Sequence, residues 1–204
     1  MPDQNRLPML KVIIHIFLLG LLLNAEVQAQ EVAPLLRFPS LSPDGSQVTF
    51  VYQGDIWTVP IAGGNANRIT IHEAYERVPR WSPDGSRIVF SSNRYGNNDV
   101  FTIGADGLDL KRLTYHSGSD ESASWISDDE ILFCTARNFL QVEREDEFYK
   151  INTNGKTPMR SHDAVGLNGR YSTDGNLMAF VRGNCKLARE AYRGPANRDI
   201  WIYN

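Results

Sequence analysis

Short catalytic motifs are missing from this 204-residue sequence. It contains no Gly-x-Ser-x-Gly segment, no His-x-x-x-His pair, no glycine-rich phosphate loop and no cysteine pair at metal-binding spacing. We therefore predict no catalytic residue, no metal ligand and no cofactor at any position. The absence excludes local motifs only, because the members of a catalytic triad can lie far apart in sequence.

Cysteine and excess positive charge are also scarce. The 21 lysines and arginines face 24 acidic residues, for a net charge of −3, which gives no electrostatic reason to expect a nucleic-acid partner. The two cysteines, Cys134 and Cys185, do not form a regularly spaced disulfide framework. We interpret both as small buried residues, with a disulfide between them as the alternative.

A long hydrophobic run is missing as well. The apolar stretch from Val12 to Leu23 is shorter than the ~20 residues that a membrane-spanning helix needs. Basic residues precede it and small residues follow near position 29, which is the layout of a secretory signal peptide. We predict that residues 1–29 are cleaved and that residues 30–204 are exported, periplasmic or secreted, without a membrane attachment. An uncleaved membrane anchor is the alternative.

What the sequence does contain is one phrase that occurs four times. An aromatic residue or leucine opens it, a Ser-Pro-Asp-Gly turn or a degenerate form of that turn follows, and an apolar segment closes it. The four copies are Leu41–Phe50, Trp81–Phe90, Trp125–Phe133 and Tyr171–Phe180. Their steps of roughly 40 to 46 residues match the period of propeller blades built from short strands.

The turn in each phrase has a plain structural explanation. Proline sets φ for the first central position of a type I turn, aspartate suits the next, and glycine tolerates a positive φ after it. The third copy lacks the proline and the glycine, so we expect its hairpin to differ. We assign structural roles to Asp44, Gly45, Asp84, Gly85, Asp128, Asp174 and Gly175.

Each repeat is predicted to supply four strands. The third strand opens with an acid, an apolar residue and an aromatic residue, and the fourth strand is short. The openings are Asp55-Ile56-Trp57, Asp99-Val100-Phe101, Glu147-Phe148-Tyr149 and Asp199-Ile200-Trp201, and the short strands are Asn67–Thr70, Lys111–Thr114 and Pro158–Ser161.

These patterns predict an all-β fold, a β-propeller with about four consecutive four-stranded blades. The blades should cover approximately residues 36–71, 76–115, 121–161 and 166–204. The sequence ends near the third strand of the fourth repeat, which would leave a sheet edge unpaired. We therefore expect these blades to be part of an incomplete ring, six-bladed when complete.

Histidines and acids recur near the ends of the repeats. His72, His116 and His162 follow the predicted fourth strands, and we interpret them as inherited loop positions, because equivalent sites in successive blades are too far apart for one metal with bonds of ~2 Å. The acids that follow are interpreted as solvated loop charges, with a role in the central channel as the alternative. They are Glu73, Glu76, Asp120, Glu121 and Asp163.

The fourth repeat contains a basic insertion at residues 183–198. Arg189, Arg193 and Arg198 could bind a peptide carboxylate or a neighbouring domain through charge-assisted hydrogen bonds. A solvated surface loop is the alternative, because connecting segments normally run over the surface.

Together these phrases resemble a known family. The Ser-Pro-Asp-Gly repeat with its downstream Asp-Ile-Trp resembles the TolB-type propeller repeat. Leu36–Pro39, Arg112–His116 and above all Tyr192–Trp201 resemble the first propeller of the tricorn protease family, over about residue 31 to the end.

The resemblance implies a larger protein with two propellers, a PDZ module and a serine peptidase core that holds the catalytic residues. It implies that this segment guides or filters peptides and is not itself catalytic. The expected partners are peptides or unfolded polypeptide and the rest of the same chain, and a homo-oligomer stays open.

Two other functions fit a TolB-type propeller. One is a TolB-like periplasmic protein whose propeller binds other proteins. The other is the propeller of a prolyl-oligopeptidase-type hydrolase, whose catalytic domain would carry a Gly-x-Ser-x-Gly motif.

Overall fold

A computed structural model describes residues 35–137, 146–183 and 198–204, except for the side chain of Ser122. Regular structure in these ranges consists of β-strands. None of the described residues belongs to a helix with the length and hydropathy to cross a membrane.

The strands form four antiparallel sheets in which sequence order and spatial order are the same. Sheet 1 contains β1 to β4, sheet 2 contains β5 to β8, sheet 3 contains β9 to β12, and sheet 4 contains β13 to β15. The bounds are β1 Arg37–Leu41, β2 Gln47–Tyr52, β3 Asp55–Pro60, β4 Asn67–Arg68, β5 Glu76–Trp81, β6 Arg87–Ser92, β7 Asp99–Gly104, β8 Lys111–Arg112, β9 Asp120–Trp125, β10 Glu130–Thr135, β11 Glu147–Asn152, β12 Met159–Val165, β13 Leu167–Tyr171, β14 Met178–Arg182 and β15 Asp199–Tyr203.

The sheets are arranged as propeller blades. The first strand of each sheet contacts the first strand of the next, from β1 to β5, to β9 and to β13. These four strands are therefore the innermost ones, and the later strands of each sheet extend outward. The prediction of an all-β propeller with four consecutive blades is confirmed.

The second strands of sheets 2 and 3 build the core on both of their faces. Successive side chains of a strand point in opposite directions. In β6, Ile88 and Phe90 pack with Val51 of sheet 1, whereas Val89 packs with Phe133 of sheet 3. Both faces of the strand are thus buried between neighbouring sheets.

The cysteine in sheet 3 belongs to this packing. Cys134 of β10 is buried with Phe148 and Phe180, and its thiol is free. Burial raises the pKa of that thiol to about 12. Pairing with Cys185 is not tested, because Cys185 lies outside the described residues.

The turn of the repeated phrase is held by its own side chains. In the first copy, Gly45 N donates to Ser42 O at 2.9 Å, and Asp44 Oδ1 accepts from Ser42 Oγ at 2.6 Å and from Ser46 N at 3.1 Å. Gly45 has a φ of 72°, in the region that favours glycine. The hydrogen bonds from Ser42 and Ser46 lower the pKa of Asp44 to about 2.

The third hairpin is built differently, as expected from its missing proline and glycine. Ile126 N and Ser127 N both donate to Glu130 O, at 2.8 and 3.2 Å. Asp128 turns toward sheet 2, where its Oδ1 accepts from Asp84 N at 2.9 Å. The third turn therefore links two sheets, in addition to closing its own hairpin.

The fourth strands differ from their predicted lengths. β4 and β8 contain two residues each, whereas β12 contains seven. Ile56 N donates to Thr70 Oγ1 and Val100 N to Thr114 Oγ1, both at 2.9 Å, so a hydroxyl replaces the next ladder bond. In sheet 3 the corresponding residue is His162, and the ladder continues to Val165.

Candidate functional site

Bulges in the innermost strands set the direction of the side chains that follow them. Strand pairing shifts register at Arg37/Ser40, Arg77/Arg80 and Leu167/Arg170. In each bulge a non-glycine residue has a positive φ, namely Phe38 at 53°, Val78 at 50° and Asn168 at 57°. Bulges of this kind re-aim side chains and are common next to functional sites.

The residues after the bulges border a cavity at the centre of the four sheets. Its volume is about 460 Å³, and it is lined by parts of β1, β5, β9 and β13 and by the turns that follow them. Because the innermost strands surround the axis of a propeller, the cavity lies on that axis. Three aromatic side chains line it, Trp81, Trp125 and Tyr171.

Trp125 is fixed in the cavity wall by contacts from sheet 2. Its Nε1 donates to Arg80 O at 3.0 Å. The guanidinium carbon of Arg87 lies 5.2 Å from the centre of its ring, within the range of a cation–π contact. The orientation of Trp125 is therefore fixed by contacts between two sheets.

Two arginines line the same cavity, Arg80 from β5 and Arg170 from β13. Arg80 donates to Pro79 O at 3.0 Å and to Pro39 O at 3.4 Å. Burial, followed by repulsion from Arg170, lowers the pKa of Arg80 to about 10. Desolvation by the surrounding protein also lowers the pKa of Arg170. Among the described residues neither arginine forms a salt bridge.

Several other arginines are paired with buried acids. Each third strand of sheets 1 to 3 opens with an acid that pairs with an arginine of the fourth strand. The pairs are Asp55–Arg68, Asp99–Arg112 at 2.8 Å and Glu147–Arg160 at 3.1 Å. The three acids are at most 2% exposed, so these arginines neutralise charges that would be costly alone.

Two of the predicted loop acids belong to a second set of buried pairs, so the prediction of solvated loop charge is wrong for Glu76 and Asp120. Both open an innermost strand and are 0% exposed. Glu76 pairs with Arg94 at 2.7 Å and Asp120 with Arg137 at 2.6 Å. The two acids were assigned to loops because they directly follow loop residues in the sequence, but each is the first residue of a paired β-strand.

The other predicted loop acids are accessible. Glu73 is exposed, Glu121 is partly buried and accepts a hydrogen bond from Asn98 Nδ2, and Asp163 has a side chain that is 99% exposed. None of the five acids lines the axial cavity.

The three histidines do not occupy equivalent positions, which corrects their alignment in the sequence. His72 Nδ1 accepts from Ala74 N and His116 Nδ1 accepts from Gly118 N, both at 2.9 Å, so each closes a loop. His162 lies within β12, stacked on Phe148 with ring centres 5.3 Å apart. In the described ranges no three His, Cys, Asp or Glu side chains converge on a metal position.

The basic insertion is described only at its end. Arg189 and Arg193 lie outside the described residues, and Arg198 is exposed immediately before β15. Of the three predicted contact residues only Arg198 is described, and it does not line the axial cavity.

Arg80 and Arg170 were missed by the sequence reasoning, although a signal was present. Each directly precedes the aromatic residue that opens its repeat, Trp81 or Tyr171. The first and third repeats have Ser40 and Ser124 at that position. Aligning the repeats one residue further toward the N-terminus would have shown arginine in alternate blades.

Comparisons with known proteins agree with this architecture. The family model "Tricorn protease N-terminal beta propeller domain" matches residues 33–204. "Tricorn protease homolog 1" of Streptomyces coelicolor is 37% identical over 85% of this chain and 16% of the relative. "Tricorn protease homolog" of Saccharolobus solfataricus is 29% identical over 78% of this chain and 15% of the relative. The chain thus spans about a sixth of the length of these relatives.

Solved structures with the same fold include the tricorn protease and TolB. The crystal structure of the tricorn protease aligns with a TM-score of 0.69 and 20% identity, covering 83% of this chain and 17% of that one. TolB from Acinetobacter baumannii aligns with a TM-score of 0.64 and 18% identity, covering 83% and 41%. At these identities the likeness concerns the fold alone.

Proposed function

This chain belongs to the tricorn protease N-terminal β-propeller family, and from that premise we propose that it is the non-catalytic propeller part of a larger serine peptidase. In this role it guides or filters peptides, and hydrolysis takes place in another part of the protein. The 37% identity to a tricorn protease homologue supports the proposal.

The observation that carries the proposal is the axial cavity. Four sheets contribute to its wall, and Trp125 is held there by a hydrogen bond and a cation–π contact. An extended peptide presents alternating side chains and backbone polar groups, which aromatic walls and nearby hydroxyl groups can contact. A cavity on the propeller axis is therefore suited to a passing or docked chain segment.

A plugged variant tests this role. Thr173 is exposed and lines the cavity, so Thr173→Trp should fill part of it without opening the core. Binding of a fluorescein-labelled casein peptide, measured by fluorescence anisotropy, should weaken about tenfold, a change of about 1.4 kcal/mol. Ser117→Trp is the matched control, because Ser117 is also exposed but lies outside the cavity. Equal affinities of the two variants would contradict peptide binding at the axis.

The non-catalytic assignment has a separate test. The purified chain should neither cleave an unfolded casein substrate nor react with a fluorophosphonate probe for activated serines. Covalent labelling of a serine within residues 30–204 would overturn the proposal and place peptidase chemistry in the propeller itself.

Export, assembly and ring size remain proposals. We propose that residues 1–29 are removed as a signal peptide, and an N-terminus other than Gln30 on the secreted protein would change that boundary. Further blades, a peptidase core and a homo-oligomer are proposed for the larger protein. Its complete sequence and its mass in solution would test them. The four predicted blade ranges and a six-bladed ring stay predictions that a structure of the larger protein would check.

A further inference from the structure

The two cavity arginines occupy equivalent positions in alternate blades. Each lies two residues after a bulge residue with a positive φ, and in the ladder Arg80 is opposite Val89 and Arg170 is opposite Ala179. The intervening blade has Ser124 at this position, and its hydroxyl is used in a hydrogen bond to Gly169 O at 2.8 Å. Positive charge therefore comes to the cavity from both sides of sheet 3.

Among the residues that the structure describes, no acid forms a salt bridge with either of these arginines. The buried acids of the first and third strands in sheets 1 to 3 are each paired with another arginine, so they are not available to Arg80 or Arg170. Arg80 bonds backbone carbonyl groups, and the side chain of Arg170 makes no hydrogen bond with a described residue. Arg170 in addition destabilises the charged form of Arg80. An anion between them would relieve this repulsion and use donors that are still free.

The chemistry of the wall indicates an organic anion on a polypeptide. Guanidinium groups bind carboxylates through paired, charge-assisted hydrogen bonds. The aromatic side chains beside them favour apolar groups on the same ligand. We propose that the axial cavity is a carboxylate site that selects peptide segments with glutamate or aspartate side chains. The inference rests on the proposed peptide-guiding function and adds the class of peptide that is favoured.

Capped peptides test the selection without a contribution from chain termini. The probes are acetylated and amidated peptides of one sequence, Gly-Glu-Phe-Glu-Gly, and its counterpart with both glutamates replaced by glutamine. Isothermal titration calorimetry should show that the glutamate peptide binds about tenfold more tightly, because a charged hydrogen bond exceeds a neutral one. Added salt should reduce this difference, since the cavity is open to solvent.

Variants assign the selectivity to the arginine pair. Arg170→Gln should bring the two peptides to within about twofold of each other, and Arg170→Lys should restore part of the preference because it restores the charge. Arg77→Gln is the matched control, because Arg77 is on the same strand as Arg80 but does not line the cavity. It should keep the full preference. Thermal melts of all variants confirm that they fold.

The possible results separate this inference from the proposed function. Equal binding of the two peptides by the unmodified protein overturns carboxylate selection and leaves peptide guidance standing. No binding of either peptide, together with failure of the casein peptide to bind, overturns the proposed function. Binding of inorganic phosphate but of neither peptide overturns the polypeptide ligand and shows a site for small anions instead. A glutamate preference that survives Arg170→Gln also contradicts the proposal.

Discussion

Sheets 2 and 4 contain the same sequence phrases but are buried to very different extents. In β7, Val100 is 0% and Phe101 2% exposed, whereas their counterparts in β15, Ile200 and Trp201, are 78% and 47% exposed. Sheet 2 shares core clusters with sheets 1 and 3, while the described core of sheet 4 is shared with sheet 3. The repeated phrase determines where a strand forms, whereas the burial of its side chains depends on a neighbouring sheet, as in other repeat proteins.

The two sheets also differ in their buried charge. Glu76 in sheet 2 donates its backbone N–H to Gly54 O at 2.7 Å, and Gly166 before sheet 4 donates in the same way to Asp146 O. The glutamate binds Arg94, whereas the glycine has no side chain to pair. Sheet 2 therefore depends on an ion pair at a place where sheet 4 does not.

Removal of a core aromatic residue should show the largest contrast between these sheets. Phe90 is 0% exposed and stacks on Phe101, with ring centres 5.7 Å apart. Phe90→Ala should lower the free energy of unfolding by about 3–5 kcal/mol, the usual cost of replacing a buried phenylalanine by alanine. Phe180→Ala in sheet 4 should cost less, because that site is closer to solvent. Urea unfolding followed by fluorescence measures both, and equal losses would show that the burial difference has no energetic consequence.

Loss of an arginine partner should come next. Arg94→Met leaves the Glu76 carboxylate buried without its cation, which should cost about 3–5 kcal/mol at pH 8. At pH 5 the loss should be smaller, because the carboxyl can then bind a proton. Arg182→Met, in the exposed end of β14, is the sheet 4 control and should cost under about 1 kcal/mol. Equal losses of unfolding free energy in the two variants at pH 8 would contradict the expected difference between the two sheets.

The ion pair also predicts how stability depends on pH. Burial raises the pKa of Glu76 from 4.5 to about 7, although Arg94 opposes the shift. A carboxyl with a higher pKa in the folded state holds its proton more tightly when folded, so stability should fall as the pH rises from 4.5 to about 7. At about 1.4 kcal/mol per pKa unit, the fall is at most about 3.5 kcal/mol.

Glu76→Gln tests that dependence directly. The variant should flatten the stability profile between those pH values, whereas Glu73→Gln, at an exposed site, should leave it unchanged. Urea midpoints measured across the pH series give the slopes. An unchanged slope in Glu76→Gln would assign the pH dependence to another group.

The repeated turns should show the smallest effect and no contrast between sheets. Gly85 has a φ of 73° and Gly175 a φ of 74°, and each donates its N–H to the serine three residues earlier at 2.9 Å. Alanine at either position should cost about 1–2 kcal/mol, because a Cβ is strained at positive φ. Thermal melts compare the variants. Clearly different losses would mean that the turns depend on their sheets.

Much of the fold was predictable because the interactions that determine its strands and turns are local in sequence. Strand alternation and turn chemistry act over a few residues, so the third-strand openings and the Ser-Pro-Asp-Gly turns were visible in sequence. The lengths of β4, β8 and β12 were not, because they depend on whether Thr70, Thr114 or His162 meets a particular backbone amide. His162 occupies the position of Thr70 and Thr114 in its sheet, so its alignment with His72 and His116 was wrong.

The candidate site was harder to predict because its members come from different sheets. The three aromatic residues were noticed only as the openings of repeats, and their shared cavity follows from the circular arrangement of β1, β5, β9 and β13. Glu76 and Asp120 were assigned to loops because sequence gives no sign of the arginines that meet them in space.

The sequence by itself determined the repeat, the strands and the turns, because each rests on interactions between residues close together in the chain. The tertiary structure alone decided which acids are neutralised and which arginines are left facing the axis. Charge pairs such as Glu76–Arg94 join residues 13 to 18 positions apart within one sheet, whereas burial depends on residues about 40 positions apart that meet only when the sheets pack around one centre. The difference between a structural arginine such as Arg94 and a cavity arginine such as Arg170 is therefore a property of the packed sheets.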